Sequence, residues 1–182
     1  MLKLACKSAM PTPRITSILA GGDRRSIGRA NEVARLVLKA PQRFRELIAC
    51  LWDDNPVVRM RAADAAEKVS VQKPRLLDRH KSGLLGLLAE TEQIELRWHL
   101  AAMVTRLRLT NAQRRRAGAA LQRYLDDRSS IVKTSALQAL SDLAQNDPAL
   151  QLKVKQLLEE AQRSGTAAMK ARGRHLLKKY PD

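Results

Sequence analysis

Four basic residues recur along the chain at nearly constant intervals: Arg59 in NPVVRMRAADAA, Arg97 in ELRWHLAAM, Lys133 in IVKTSALQAL and Lys170 in AMKARGRHLL, with steps of 38, 36 and 37 residues. Cations at a regular pitch can do one kind of chemistry unaided, which is to hold a row of anions by charge and hydrogen bonding. If successive units stack at helix-packing distances of roughly 8 to 10 Å, the four span about 25 to 30 Å, near the roughly 34 Å turn of duplex DNA. Arg61, Arg172 and Arg174 accompany this ladder, and Arg114, Arg115 and Arg116, with Arg106 and Arg108, crowd one junction. Arg24 and Arg25 sit in GGDRRSIGRAN. There, glycines and arginines at a helix start could hold an anion, or the stretch is simply a Gly-stopped helix and a capped turn.

Covalent chemistry has little to work with. His80, His99 and His175 never fall at ligand spacing from one another or from a cysteine, so no zinc site is expected. The chain has no Gly-x-Ser-x-Gly elbow, and GGDRRSIGRAN lacks the Gly-Lys-Ser/Thr of a phosphate loop. Cys6 and Cys50 are too far apart and too few for a disulfide framework, which fits a reducing cytoplasm. Cys50, inside FRELIACLW, reads as a small core residue. Neither a cofactor nor a small-molecule substrate is implied.

Helices must carry the cations. After each ladder residue, the positions three, six, seven and ten further on are Ala62, Ala65, Ala66 and Val69; Leu100, Met103, Val104 and Leu107; Ala136, Ala139, Leu140 and Leu143; Gly173, Leu176, Leu177 and Tyr180. That spacing describes one face of a helix. A second series, Leu47, Leu84, Leu121 and Leu158, keeps a 37-residue step, and Leu51, Leu88 and Leu125 follow it four residues later. Each leucine pair marks a first helix ahead of the helix bearing the cation. The unit is helix, short turn, helix, and one such pair cannot bury its apolar face alone. Nothing alternates with period two, so no sheet is expected.

The stretch DDNPVVRMRAADAA, residues 53–66, resembles HEAT repeats, whose second helix follows an acidic-Asn-Pro turn and carries Val-Arg and then Ala-Ala. The likeness covers roughly residues 42 to 180. It implies an all-α, right-handed solenoid of about four helical pairs that binds something and performs no chemistry. It also implies that the ladder cation pairs with acidic turn residues and neighbouring backbone, for which Asp54, Glu92 or Glu95, and Asp127 are available. The expected division is a tail over 1–13, an N-terminal helical cap over 14–41, and repeats over about 42–74, 75–109, 110–146 and 147–182. Met10 offers an alternative start to Met1.

The 182 residues are 45% hydrophobic but only 3% aromatic, so packing must rest on aliphatic side chains. No apolar run reaches the roughly 20 residues of a membrane span, and no helix has the aromatic face of an interfacial anchor. Lys and Arg number 34 against 18 Asp and Glu, a formal excess of +16. That is well above the net charge of roughly 2 to 8 that keeps a small domain soluble, and it points to an acidic partner. The expectation is a non-catalytic cytoplasmic scaffold docking an acidic protein on its second helices; sequence-tolerant nucleic-acid binding is the alternative. A third reading comes from HEAT-like alkylpurine DNA glycosylases, which use tryptophans and a catalytic aspartate on a basic concave surface. Trp98 beside Arg97 invites it, although no motif matches the aspartate.

Overall fold

The computed structural model describes residues 13–23, 26–145 and 147–180, and every regular element among them is helical. The expected tail over 1–13 lies outside the described residues except at Pro13. The order is α1 (Ile15–Ala20), α2 (Ala30–Lys39), α3 (Phe44–Ala49), α4 (Pro56–Gln72), α5 (Lys81–Glu90), α6 (Ile94–Val104), α7 (Asn111–Arg123), α8 (Ser130–Ala144), α9 (Pro148–Ser164) and α10 (Ala167–Leu177). Short 3-10 segments flank α3 at Pro41–Arg43 and Cys50–Trp52, precede α5 at Pro74–His80, and follow α7 at Tyr124–Asp126.

Side chains in the turns set where the second helices start. Asn55 accepts from Val57 N–H at 3.0 Å with Pro56 opening α4, and Asp53 Oδ1 in turn accepts from Asn55 N–H. Ser129 begins α8 in the same way, and Asp127 Oδ1 accepts from Ser129 N–H at 2.7 Å. Thr110 and Gln113 form a reciprocal capping box at α7, while Asp147 and Thr166 cap α9 and α10. Each cap occupies a backbone donor that the helix cannot satisfy from within.

The helices form two layers. Second helices α4, α6, α8 and α10 stack in sequence, and α2 packs on α4 as α4 packs on α6. The cap therefore contributes a helix to the second layer, although its sequence keeps a different spacing. The first layer holds α1 against α3 and α5 against α7, with α9 packed on α8 and α10. Both apolar series are interior: Leu47, Leu84, Leu121 and Leu158 are at most 2% exposed, as are Ala62, Ala65, Ala66 and Val69. The alanines matter because α4 is enclosed by α1, α2, α3 and α6, and only small side chains allow that many close approaches. At the other end Gly165 performs a similar service, since a Cβ there would lie 2.4 Å from the Ala161 carbonyl oxygen. The molecule is an all-α solenoid of stacked helical pairs.

Candidate binding surface

The ladder divides by residue type. Arg59 donates to the carbonyls of Asp53 and Asp54 in its own turn, at 2.7 and 3.1 Å, and to Gln93 Oε1 of the next turn at 2.8 Å. Arg97 repeats the arrangement, donating to Thr91 O at 2.9 Å and pairing with Glu92 at 2.8 Å and with Asp127 of the following turn at 2.5 Å. Its guanidinium also lies 5.3 Å from the centre of the Tyr124 ring, whose hydroxyl donates to Leu88 O. These arginines brace turn to turn and are not free to meet a partner. Burial opposes both charges of the Arg97–Asp127 pair. The bonds outweigh it: Asp127, held by the Ser129 N–H and by Arg97, stays below the ordinary carboxylate value, and Arg97 stays above its own. Lys133 and Lys170 make no ion pair or side-chain hydrogen bond among the described residues. A lysine lacks the planar fork with which arginine can grip several acceptors at once.

Arg61 is no surface residue. It is fully buried, and its guanidinium donates to the carbonyls of Leu19, Gly21, Asp23 and Ser26, pinning the end of α1 and the loop after it. Gly28, with φ +50°, lets the chain pass there, since a Cβ would lie 2.7 Å from Arg61 Cζ. The expectation that Arg61 faces a partner is corrected for this reason. Arg24 and Arg25 lie outside the described residues.

Along the second helices the charges largely answer one another. Lys68 bonds Asp64 and Asn31 of α2. On α6, His99 meets Glu67 at 2.6 Å, while Arg106, beyond its end, donates to Ser70 Oγ at 3.0 Å. Arg172 donates to Gln138 Oε1 at 2.7 Å, and Lys179 lies 3.5 Å from Asp142. A cleft of about 310 Å³ between these helices is lined by Glu67, Arg106, Gln138, Asp142 and Arg172 and so carries both signs. Arg174 is exposed and makes no pair among the described residues.

The arginine triplet splits as well. Arg114 donates to Leu143 O at 2.9 Å at the end of α8, which gives it a structural anchor, while Arg115 and Arg116 are exposed and make no pair among the described residues. Arg108 meets Asp78 at 3.9 Å. Trp98 is half-buried against the core beside His99, with ring centres 5.5 Å apart. Trp52 is 50% exposed and rests on Gly83 of α5. Cys50 is buried, and burial pushes its thiol up. Among the described residues no group of three or more His, Cys, Asp or Glu is placed to hold a metal ion, and no helix is long and apolar enough to cross a membrane.

A basic cluster that the periodicity does not reveal lies on the first layer. Arg45, Arg75, Arg79 and His80 line a cleft of about 760 Å³ next to α3. These residues share no repeat position: Arg45 lies on α3, and Arg75, Arg79 and His80 lie in the 3-10 segment Pro74–His80.

No family model matches the chain, and no curated protein sequence matches it. Among solved structures, a designed armadillo repeat protein, YIII(Dq.V1)4CPAF, in complex with the peptide (KR)4, is similar at a TM-score of 0.65 and 16% sequence identity. The match covers 92% of this chain and 80% of that one, and at such identity it speaks for the fold.

Proposed function

We propose that this solenoid is a non-catalytic, cytoplasmic scaffold that docks an acidic segment of a partner protein through its unpaired cations. The observation that carries the reading is the set Arg115, Arg116, Lys133, Lys170 and Arg174, five cations with no ion pair among the described residues in a chain of net charge +16. Such charges add nothing to the core and repel one another, so an anionic partner gains more from them than the fold does. A stacked helical layer also offers a long, rigid surface of the kind that extended peptides follow. The designed neighbour solved with a peptide supports this use of the architecture by analogy alone, because its peptide is basic where this chain calls for acid. Protein is favoured over nucleic acid because the described surface exposes few aromatics, Trp52 being the large one, and sequence-tolerant strand binding leans on stacking. The acidic-Asn-Pro turn and Val-Arg of residues 53–59 support kinship with HEAT repeats as part of the same proposal.

The test titrates the full chain with a glutamate-rich peptide and with duplex DNA at several salt concentrations, alongside a variant with Arg115, Arg116, Lys133 and Lys170 all changed to Gln. The expected result is peptide binding that weakens with salt and falls sharply in the variant, while the melting temperature is unchanged. No peptide binding at low salt, or binding indifferent to the four changes, overturns the reading. DNA binding stronger than peptide binding, with a log–log salt slope reduced by about 0.9 for each phosphate contact removed, would transfer the function to nucleic acid.

A further inference from the structure

The cleft beside α3 combines three features. Its floor is apolar, made by Pro41, Phe44 and Leu76, with the Phe44 ring edge-on to His80 at 5.8 Å. Its rim is cationic, and Arg45, Arg75 and Arg79 are exposed with no ion pair or side-chain hydrogen bond among the described residues. No carboxylate lines it. At about 760 Å³ it falls within the roughly 300 to 1,000 Å³ of ordinary ligand pockets.

Elsewhere in the chain the arginines that the fold uses are engaged: Arg59 and Arg97 by turns, Arg61 by a loop. Three arginines gathered without acceptors repel one another, and His80 registers the field of two of them. Burial, and then the charges of Arg45 and Arg79, hold its imidazole below the ordinary value. An anion would reverse that balance. A carboxylate brings one charge and two oxygens, which a single guanidinium satisfies. A phosphomonoester brings nearly two charges and three terminal oxygens, enough to engage several guanidinium forks together. The apolar floor suits the stem from which such a group hangs.

We infer that the cleft is a phosphomonoester site, in which Arg45, Arg75 and Arg79 hold the phosphate and Pro41 and Leu76, over the buried Phe44, receive its apolar stem. This assignment is independent of the docking reading, since none of these residues belongs to the cations named there. The phosphate can arrive on a small molecule or on a phosphorylated side chain, and the two sources are separable. Binding also draws a proton onto His80, so affinity rises as the pH falls toward the ordinary imidazole value. The charges that act on His80 are Arg45 from α3 and Arg79 from its own turn, and Arg75 lines the same cleft.

The experiment follows the His80 imidazole signals of the full chain by NMR during titration with phenyl phosphate, inorganic phosphate, benzoate and a phosphotyrosine peptide. Phenyl phosphate is expected to shift His80, raise its titration midpoint, and bind more tightly than inorganic phosphate. Arg75→Gln and Arg79→Gln, tested singly with melting checked, should each weaken phenyl phosphate about tenfold, the worth of a lost charge-assisted hydrogen bond. A peptide binding more tightly than phenyl phosphate assigns the source to protein, and a peptide binding no better assigns it to a small ligand; either result upholds the site. Benzoate matching phenyl phosphate, an unmoved His80, or full binding by both variants overturns the proposal.

Discussion

Replacing Arg61 by Met tests whether a buried cation, and not the apolar faces alone, secures the N-terminal cap. Its guanidinium holds Leu19 O at 2.6 Å, Gly21 O at 2.6 Å and Ser26 O at 3.1 Å, along with Asp23 O. Hydrogen bonds to a charged group contribute about 1.5 to 3 kcal/mol each, but four of them cannot simply be summed. The loop residues Gly21, Asp23 and Ser26 are exposed, so their carbonyls can turn to water, and deleting the charge also removes the cost of burying it. Leu19 O has no such escape in the folded cap, because that bond is buried. The net loss should be about 1 to 3 kcal/mol, the cost of leaving one buried carbonyl without its donor. In a chain of this length it lowers the melting temperature by roughly 2 to 12 °C. Arg61→Lys should recover little, because an ammonium has three donors and no planar fork. Thermal unfolding gives the size of the effect, and amide hydrogen exchange locates it, with α1 and its following loop losing protection first. A variant that melts within about 2 °C of the parent with α1 still protected would refute the reasoning. Peptide binding at equal folded concentration should be untouched, since Arg61 never reaches the surface.

Three further outcomes follow from buried or crowded positions. Asp127→Asn should cost about 3 kcal/mol by unpairing Arg97 and weakening the Ser129 turn, measured by urea unfolding. Because the folded Asp127 value lies below 3.8, its stabilisation is complete above that pH and drains as pH falls through 3.8 toward the folded value; Asp127→Asn should flatten this acid slope. His80 has the opposite protonation sign but the same pH direction. Its folded value is depressed below 6.5, so the unfolded chain takes up the proton first and stability falls as pH drops below 6.5; His80→Gln should remove that loss from melts across the window. Gly165→Ala would place a Cβ 2.4 Å from a backbone oxygen and 2.9 Å from Met169 Cβ, and should cost about 1 to 3 kcal/mol in a denaturant titration, with no change in peptide binding.

What the sequence reveals here depends on whether the physical cause repeats. The alanine and leucine faces repeat because every helical pair must be buried by its neighbours, so they recur at 37 residues and lie in the core. The N-cap residues Asn55, Ser129 and Thr166 act locally, each serving a donor two or three residues ahead. Arg61 is not legible in this way. It stands two residues from Arg59, which is about 200° around the helix, so one arginine turns to the next repeat and the other to the cap. Its acceptors are backbone carbonyls, which any residue supplies and no pattern marks.

The same distinction decides where a partner can be met. A cation whose position repeats every turn is one the stack can use, and Arg59 and Arg97 are used; the charges left over are those where the register lapses. At Lys133 and Lys170 the ladder keeps its charge but not arginine's fork. Arg75 and Arg79 sit in the 3-10 segment Pro74–His80, outside the regular α-helical face, and they meet Arg45 of α3 across the cleft. Periodicity is therefore a guide to the solenoid's interior and a poor guide to its unpaired cations. If that argument holds, glutamine at Arg59 or Arg97 should lower the melting temperature, and glutamine at Arg75, Arg79 or Arg115 should lower affinity without moving it. Reversed effects at any of these five positions would show that the pairing seen between turns is not what separates structural from functional arginines.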